Sequence, residues 1–551
     1  MWKSGRGRVA RVAGLAAVVA LVAAPFAGAT PQQRALPEPS LGSAAAKMSS
    51  APVTRYLIAH PEEAPEELRP RYEELKQLLD SHRTASTSGR EGGSGPMLDA
   101  LFNRDDTGLP QNEESITSCS SRPQYVLGGT NDYRGLLDPE ENFTGWHFST
   151  DGGATVRNEG LLPAIDFGDG TMVPSGGDPV DVATPDCRFI AGGLNYDPED
   201  FFPNGVGLYK SDPRTLASCP GGTDPSCWPI RKVVAQSDDP HVFLDKPWFY
   251  ADQHHVWVVW TEFICPDVGC TGDYTSNSIK AVRCNLDLVC TDPITISGDQ
   301  PSIQFGDVTI APDGRTYITW EQDNDLETDF EPPEHMTFWL RVAPPGSTNF
   351  GPPRRVADEP LNMGLAPLHA NDFRIATYPK NDVKVVDGKQ RVFVVWDGCQ
   401  ARVLGDSSCE EPAIRLRYSD DAGVTWSPIR TVSAGGDNYF PTISANQGGR
   451  NLAVAWFTNR FDPVFHNRQD VELAEVRPDG TVVERERVTS ISNESEADPV
   501  LGGAFIGDYI EVFARHDHAL VHFNANYRSL QILGEGFRVP QQDNFLVRSR
   551  L

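Results

Sequence analysis

The sequence predicts an all-β fold, a β-propeller of seven four-stranded antiparallel blades preceded by a short N-terminal helical extension. A unit of about 65 residues recurs from residue 98 onward. Strand-like runs dominate each unit, and four units share an apolar strand that ends in tryptophan. A closed ring of such blades leaves no strand edge unpaired. The units are centred near Glu114, Asp178, Asp245, Asp307, Asp372, Phe440 and Asp508.

The two ends of the propeller sequence predict how the ring closes. The seventh unit stops after its third strand, residues 544–548. Residues 98–104, just before the first unit, are expected to supply the missing fourth strand, so that the two ends share one blade. A six-bladed propeller is the alternative. The tryptophans that end the apolar strands are expected to pack between blades, as core residues: Trp260, Trp320, Trp396 and Trp456.

The N-terminal region predicts export. Four basic residues precede an apolar run over residues 12–28, which ends in the small residues Ala27, Gly28 and Ala29. This pattern is typical of a secretory signal peptide over residues 1–29, and no later stretch is apolar enough to span a bilayer. The product is expected to be secreted and monomeric, without a membrane partner.

A leader over residues 30–97 follows the signal and precedes the propeller, residues 98–551. Apolar residues at helical spacing predict a helix over 65–83, and a Ser- and Gly-rich stretch over 84–96 predicts a linker. The helix is either a pro-segment or a packing brace.

Composition excludes two classes of protein. The 551 residues contain 76 acidic and 48 basic side chains, a formal charge of −28. Binding to phosphates needs clustered cations, so a nucleic-acid partner is excluded. With 39% hydrophobic residues, the chain is also not disordered throughout.

The ten cysteines are expected to form disulfides, because an exported protein folds in an oxidising compartment. A zinc site is the competing interpretation, but no cluster of histidine and cysteine has ligand spacing. Spacing predicts the pairs Cys219–Cys227, Cys265–Cys270, Cys284–Cys290 and Cys399–Cys409, which leaves Cys119–Cys187 to join the first two blades.

Two turns between third and fourth strands match a short motif, Ser-x-Asp-x-Gly-x-Thr-Trp. The matching residues are Ser149, Asp151, Gly153 and Thr155 in the first turn, and Ser419, Asp421, Gly423, Thr425 and Trp426 in the second. This is the Asp-box, so the chain resembles the sialidase-like (BNR-repeat) superfamily of β-propellers. The aspartate is expected to accept backbone N–H groups across its turn, a structural role.

The connections that enter first strands and leave second strands should open on one face of the ring, the entry face. Their charged and tyrosine residues form an acidic set, here named the entry rim. Its members at the strand entries are Glu113, Glu114, Asp178, Asp181, Asp245, Asp307, Asp372, Arg374, Asp508 and Tyr509. Its members at the strand exits are Asp132, Tyr133, Arg134, Asp197, Glu262, Glu321, Asp397, Arg460 and Arg528. A ligand is expected there.

The resemblance implies a glycoside hydrolase that acts on extracellular carbohydrate as an exo-sialidase does. Sialidases hold the substrate carboxylate with three arginines and use a Tyr/Glu pair, an Asp acid/base and an Arg-Ile-Pro sequence. Here the nearest sequence is Arg374-Ile375-Ala376, with alanine for proline. The catalytic candidates are Asp132, Glu262, Glu321 and Tyr509. The substrate-binding candidates are Arg134, Arg374, Arg460, Asp245, Asp397 and Asp508.

Three alternatives stay open. A non-catalytic propeller that binds glycan or protein would use the same rim. A polysaccharide lyase would need a base such as His241 or His369. No cofactor is required, but crowded carboxylates repel one another, and a structural Ca²⁺ would relieve this.

Overall fold

Seven four-stranded antiparallel sheets make up the propeller of the computed structural model, which confirms the predicted fold and blade count. The structure describes residues 56–58, 60–63, 69–83, 99–270, 272, 274–298, 302–324, 335–359, 368, 370–371, 373–402, 409–498, 500–501 and 505–551. The predicted signal peptide and linker, and also His369 and Asp372, lie outside the described residues.

The first four blades follow the repeat in order. The short strand β1 (Ala100–Leu101) comes first. Blade 1 contains β2 (Gln111–Ser118), β3 (Val126–Asp132), β4 (Thr144–Ser149) and β5 (Asn158–Leu161). After a hairpin of β6 (Ile165–Asp166) and β7 (Met172–Val173), blade 2 contains β8 (Ser175–Ala183), β9 (Phe189–Tyr196), β10 (Asn204–Ser211) and β11 (Ile230–Ser237). Blade 3 contains β12 (Val242–Ala251), β13 (His255–Ile264), β14 (Ser276–Asn285) and β15 (Ile294–Thr295). Blade 4 contains β16 (Ile303–Ile310), β17 (Thr316–Asp323), β18 (Met336–Ala343) and β19 (Arg354–Glu359).

The last three blades complete the ring. Blade 5 contains β20 (Lys380–Val386), β21 (Lys389–Gly398), β24 (Ala413–Ser419) and β25 (Arg430–Thr431), with a side hairpin of β22 (Ala401–Arg402) and β23 (Cys409–Glu410). Blade 6 contains β26 (Asn438–Ser444), β27 (Leu452–Thr458), β28 (Asp470–Val476) and β29 (Val482–Arg487). Blade 7 contains β30 (Glu511–Arg515), β31 (His518–Ile532) and β32 (Glu535–Arg550).

Few helices accompany the strands. The helices are α1 (Arg69–Arg83) in the leader and α2 (Pro213–Ser218) in blade 2. Short 3₁₀ turns span Pro61–Glu63, Tyr133–Leu137, Pro225–Cys227, Val268–Cys270 and Ser495–Ala497. Within the described part of the chain, no helix has the length and apolarity needed to cross a membrane.

The ring closes as the sequence predicts. β1 pairs antiparallel with β32, through Ala100 opposite Leu546 and Leu101 opposite Phe545. Blade 7 therefore combines three strands from the C-terminal end with one from the N-terminal side of the propeller. The strands of each remaining blade come from one continuous stretch of the chain, so blade 7 is the blade in which distant chain segments pair to close the ring.

Packing between blades supplies the core. The four tryptophans expected there are buried, each at most 1% exposed: Trp260, Trp320, Trp396 and Trp456. Each lies on the second strand of its blade and packs among aliphatic side chains of its own and neighbouring blades.

All five predicted disulfides are present. Cys119–Cys187 joins the inner hairpins of blades 1 and 2, across 68 residues of sequence. The other four close short loops of 5 to 10 residues. The pairs are Cys219–Cys227, Cys265–Cys270, Cys284–Cys290 and Cys399–Cys409.

The two turns that match the Ser-x-Asp-x-Gly-x-Thr-Trp motif hold their aspartates in local hydrogen bonds. Asp151 Oδ1 accepts the backbone N–H of Thr155 at 2.9 Å, and Asp421 Oδ1 accepts that of Thr425 at 2.8 Å. Burial opposes ionisation, but these bonds lower the pKa of both aspartates. Both carboxylates are therefore engaged in holding the turn, on the face opposite the entry face.

Candidate functional site

A β-bulge recurs in the inner strand of five blades. It interrupts β2, β8, β12, β16 and β26 near their first residues. In each bulge one residue other than glycine has a positive φ, and a bulge of this kind redirects its side chain. These residues are Glu113 (57°), Asp178 (53°), Lys246 (49°), Phe305 (52°) and Phe440 (52°).

Side chains from all seven blades meet at the propeller axis. In blades 5 and 7, Tyr378 and Asp508 lie just before β20 and β30 and reach the same group as the bulged residues. We name the seven residues the axial ring. In blade order they are Glu113, Asp178, Lys246, Phe305, Tyr378, Phe440 and Asp508. The charged part of the ring consists of Glu113, Asp178, Lys246 and Asp508. The aromatic part, from blades 4 to 6, consists of Phe305, Tyr378 and Phe440.

A buried lysine neutralises the charged part of the ring. Lys246 Nζ lies 3.2 Å from Glu113 Oε1 and 3.7 Å from Asp178 Oδ2, and it donates to the Asp508 carboxylate. All four side chains are at most 4% exposed. Burial alone would lower the pKa of Lys246, but the three carboxylates raise it.

Arg374 adds a second cation to the same cluster. Its Nε donates to Asp508 Oδ1 at 3.0 Å, and its Nη2 donates to Oδ2. Burial would raise the pKa of Asp508, yet Arg374 and Lys246 together hold it at about 2. Burial raises the pKa of Glu113 well above its ordinary value. Asp508 is therefore ionised at neutral pH.

The aromatic part of the ring is stacked. The rings of Phe305 and Tyr378 lie 4.6 Å apart, and those of Tyr378 and Phe440 lie 6.2 Å apart. The Tyr378 hydroxyl donates to the backbone carbonyl of Asp508 at 2.5 Å. This bond ties the aromatic part to the charged part across the axis.

A second layer lies beside the ring, built from Trp248, Lys380 and Tyr509. The rings of Trp248 and Tyr509 meet edge to face at 5.6 Å, and Tyr509 donates to the carbonyl of Pro179 at 3.1 Å. Lys380 Nζ lies 2.8 Å from the centre of the Trp248 ring and 3.6 Å from Asp307 Oδ1. Burial lowers the pKa of Lys380 to about 8.

Between the ring and the second layer is a pocket that encloses about 310 Å³, open solvent included. Trp248 and Phe305 are half-buried, whereas the tyrosines and lysines of the lining are buried. The pocket therefore presents aromatic faces together with two ammonium groups and two phenols. Its lining is Lys246, Pro247, Trp248, Phe305, Gly306, Tyr378, Pro379, Lys380 and Tyr509.

Of the predicted site residues, the structure brings Arg374, Asp508, Asp245 and Tyr509 to the axis. Asp245 precedes Lys246 and accepts Gln304 Nε2 at 3.2 Å, and burial raises its pKa to about 7. Asp397, in blade 5, accepts the backbone N–H of Phe440 at 3.2 Å. Burial raises the pKa of Asp397 to about 8.

The other predicted residues lie in separate places. In blade 1, Arg134 Nε donates to Asp132 Oδ1 at 3.0 Å and to Asp132 Oδ2 at 2.9 Å. Glu262 pairs with Lys280 at 3.2 Å in blade 3, and Glu321 lies 7% exposed on β17.

The three predicted arginines do not share a ligand. Arg134 also holds Glu159 at 3.1 Å, Arg374 holds Asp508, and Arg460 Nη2 donates to Glu472 at 2.6 Å in blade 6. Each guanidinium is thus paired with its own acid, in a different blade. No common carboxylate-binding site is assembled from these residues in the described structure.

The entry rim was expected to present its carboxylates to a ligand, and for four of its aspartates this expectation is wrong. Asp132, Asp245, Asp397 and Asp508 are each 0% exposed. The physical reason is that these carboxylates bond to protein groups in place of water: Asp132 and Asp508 pair with cations, and Asp245 and Asp397 accept hydrogen bonds from Gln304 and the Phe440 backbone.

Tyr509 is the one lining residue that the sequence predicted, and the side chains missed include Lys246, Trp248, Phe305, Tyr378 and Lys380. A signal for them exists, because a residue followed by proline recurs where the inner strands begin. Proline has no N–H to donate, so it fits a bulge that is unpaired. The four pairs are Asp178-Pro179, Lys246-Pro247, Tyr378-Pro379 and Phe440-Pro441.

The sequence analysis expected a structural Ca²⁺ only because it would relieve the repulsion between crowded carboxylates. Among the residues that the structure describes, no group of three or more His, Cys, Asp or Glu side chains is arranged to hold a metal ion. Lys246 and Arg374 already neutralise the axial carboxylates. Structural Ca²⁺ stays a prediction.

Buried carboxyl groups predict a pH dependence of stability. Burial raises the pKa of nine of them to between about 6 and about 8, whereas unfolded carboxyls titrate near pH 4. Between these values the folded state binds more protons, so stability falls as pH rises. The nine are Asp105, Asp181, Asp245, Asp307, Glu359, Asp382, Asp397, Glu511 and Asp543.

We expect the free energy of unfolding to fall by at least about 2 kcal/mol from pH 5 to pH 8. Asp508 acts in the opposite sense, because its lowered pKa removes stability only below about pH 4. Guanidinium unfolding at both pH values measures the change. Asp397→Asn should flatten the profile, and a profile that rises with pH would contradict the expectation.

No protein-family model matches the chain, and no curated protein matches it. Solved structures match it at low similarity. An α-L-arabinanase of Penicillium chrysogenum, complexed with arabinobiose, is 12% identical with a TM-score of 0.39, over 65% of this chain and 92% of its own. A Hadza microbial sialidase is 10% identical with a TM-score of 0.40, over 74% and 73%. An ulvan lyase from a new polysaccharide lyase family is 8% identical with a TM-score of 0.44, over 80% and 95%.

Scores this low say nothing about substrate or mechanism. The sialidase-like resemblance carried by the Asp-box motifs therefore stays a prediction, and so does secretion.

Proposed function

We propose that the protein is a secreted carbohydrate-binding propeller that takes one sugar residue of an extracellular glycan into the axial pocket. The observation that carries the proposal is the lining of that pocket, where four aromatic side chains and two lysines converge from blades 3, 4, 5 and 7. Sugar sites combine aromatic faces with a few hydrogen-bonding groups in this way.

Each part of the lining has a physical role in the proposal. Lys380 Nζ lies 2.8 Å from the centre of the half-buried Trp248 ring. In the proposal, the C–H groups of a sugar ring pack against the face of that ring that Lys380 does not cover. Lys380 supplies an ammonium donor to sugar oxygens and is held in place by Asp307. Lys246 is already shared among Glu113, Asp178 and Asp508, so it contributes mainly its positive charge. The figure of about 310 Å³ includes open solvent, so the proposal rests on the chemistry of the pocket lining and not on the size of the pocket.

Binding ranks above hydrolysis because the carboxylates near the pocket are buried and bonded to other protein groups. Asp508 and Asp245 are fully buried and are not part of the pocket lining. The sialidase-like form of hydrolysis also needs Arg134, Arg374 and Arg460 on one substrate carboxylate, and each is paired with a different acid. The lyase form needs a base, and His241 is an exposed loop residue.

One observation favours glycoside hydrolysis as the second candidate. Asp508 is held ionised, with a pKa of about 2, while burial raises the pKa of its neighbour Asp245 to about 7. Two carboxyl groups whose pKa values are separated in this way are typical of the general acid and its partner carboxylate in glycosidases. A panel of fluorogenic glycosides that includes a sialoside tests it. Release that is lost in Asp245→Asn would establish hydrolysis.

A glycan array followed by titration tests the binding proposal. Trp248→Ala removes the stacking face, and we expect at least about a tenfold loss of affinity for the glycan that binds best, equivalent to about 1.4 kcal/mol. Trp426→Ala, in an Asp-box turn on the opposite face, is the matched control and should bind as the wild type does. Equal affinity in Trp248→Ala, or an array without any bound glycan, would contradict the proposal.

A further inference from the structure

Three lysines are buried in the part of the chain that the structure describes: Lys246, Lys380 and Lys384. Lys246 Nζ is shared among three carboxylates. Lys384 Nζ donates to three backbone carbonyls within residues 445–449, at 2.6 to 3.1 Å. Lys380 is held more loosely than these two, because its Nζ lies 3.6 Å from one carboxylate oxygen, Asp307 Oδ1, and over an aromatic ring.

The other reactive side chains of the pocket lining are engaged. The hydroxyls of Tyr378 and Tyr509 donate to backbone carbonyls, at 2.5 and 3.1 Å. Lys246 stays an ammonium group, because its carboxylate neighbours raise its pKa against the effect of burial. The remaining lining residues are prolines, a glycine and aromatic side chains without a nucleophile. Lys380 is therefore the lining residue whose nitrogen can act as a nucleophile.

The surroundings of Lys380 favour its free amine. Burial lowers its pKa to about 8, and the ammonium group of Lys246 acts in the same direction. Asp307 and Glu511 act in the opposite direction but do not restore the ordinary value. At neutral pH about a tenth of Lys380 is therefore free amine, against fewer than about one in a thousand for an exposed lysine.

Asp307 is placed to exchange a proton with this amine. Its Oδ2 accepts the backbone N–H and the side-chain N–H of Asn381, at 2.6 and 2.7 Å. Its other oxygen, Oδ1, lies 3.6 Å from Lys380 Nζ. Burial raises the pKa of Asp307 to about 6, so this carboxyl group can both take and return a proton near neutral pH.

From this arrangement we propose that Lys380 is a covalent attachment site for a small aldehyde. Imine formation needs a free amine and an acid beside it, and Lys380 and Asp307 supply both. The apolar part of the aldehyde lies against the half-buried rings of Trp248 and Phe305, which line the pocket. These rings keep out the water that would hydrolyse the imine.

The reaction balances without an oxidant or a reductant. The nitrogen lone pair of Lys380 forms a bond to the carbonyl carbon, and the π electron pair of the carbonyl moves to its oxygen. Asp307 takes a proton from the nitrogen and returns it to the hydroxyl group of the carbinolamine. That hydroxyl leaves as water, so one amine and one aldehyde give one imine and one water.

The test incubates the folded protein with benzaldehyde and cyanoborohydride, which reduces an imine to a stable benzylamine, and locates the label by peptide mass spectrometry. At neutral pH we expect Lys380 to gain label at least about tenfold faster than the exposed Lys389. Lys246 and Lys384 should react more slowly than Lys389. In protein first unfolded in guanidinium, Lys380 and Lys389 should react equally.

A folded protein in which Lys389 or Lys246 reacts as fast as Lys380 would overturn the proposal. A preference for Lys380 that survives unfolding would overturn it too, because the pocket would then not be its cause. Labelling involves no glycan, so its outcome is independent of the proposed function.

Asp307→Asn tests the proton transfer. Loss of the negative charge leaves more of Lys380 as free amine, so a purely electrostatic role of Asp307 predicts faster labelling. We expect labelling at least about fivefold slower instead, because an amide cannot return the proton. Asp313→Asn, in the turn between β16 and β17, is the matched control and should react as the unaltered protein does. Thermal unfolding checks that both variants are folded, and a rate that rises in Asp307→Asn would contradict the proposed step.

Discussion

Replacing Lys246 with methionine is expected to lower the free energy of unfolding by roughly 3–5 kcal/mol. The ammonium group contacts Glu113, Asp178 and Asp508, all buried, and methionine leaves their charge without its central partner. Guanidinium unfolding at neutral pH measures the loss. The deficit should shrink at lower pH, because burial already raises the pKa of Glu113 and this carboxyl takes up a proton first.

Lys280→Met is the matched control for this substitution. Lys280 pairs with Glu262 at 3.2 Å, but their side chains are 22% and 26% exposed. Solvent screens such a pair, so the control should cost less than about 1 kcal/mol. Equal losses in the two variants would show that the axial ring does not depend on a buried cation.

Phe102→Ala is expected to destabilise the propeller by about 3–5 kcal/mol through the cavity it leaves. Phe102 is 0% exposed and follows β1, the strand that closes the ring. Its ring packs with Ile116, Leu520 and Leu546, residues of blades 1 and 7. The cavity would therefore open where the distant segments of the chain join.

Phe537→Ala provides the comparison, because Phe537 is 82% exposed at the tip of the β31–β32 hairpin. We expect Phe537→Ala to change the free energy of unfolding by no more than about 0.5 kcal/mol. If Phe102→Ala were equally mild, the pairing of β1 with β32 would contribute little to closure, and the shared blade would not be the element that holds the ring together.

The fold could be predicted from sequence because its signals are local and repeat. A period of 62 to 68 residues, strands bounded by turns and tryptophans in register each report on one blade at a time. The closure by residues 98–104 followed from one incomplete unit. The short-range disulfides followed from spacing, since loops of 5 to 10 residues leave little choice of partner.

The site could be predicted only in part, because its contacts join residues hundreds of positions apart. The sequence places Asp508 at the entry to a first strand, but nothing near it in sequence indicates that Lys246 and Arg374 pair with it. The carboxylates were expected to be solvated, and ion pairing buries them instead. Trp248 faces the pocket next to the bulge of β12, and a bulge is a backbone feature that charge patterns do not reveal.

The most direct test of the axial pocket as a glycan site is a crystal structure with the glycan that binds best on the array. We predict one sugar ring in the pocket, its face against Trp248 and its oxygens within hydrogen-bond reach of Lys246 or Lys380. A glycan bound on an outer strand or loop, with the pocket free of sugar, would contradict the proposal.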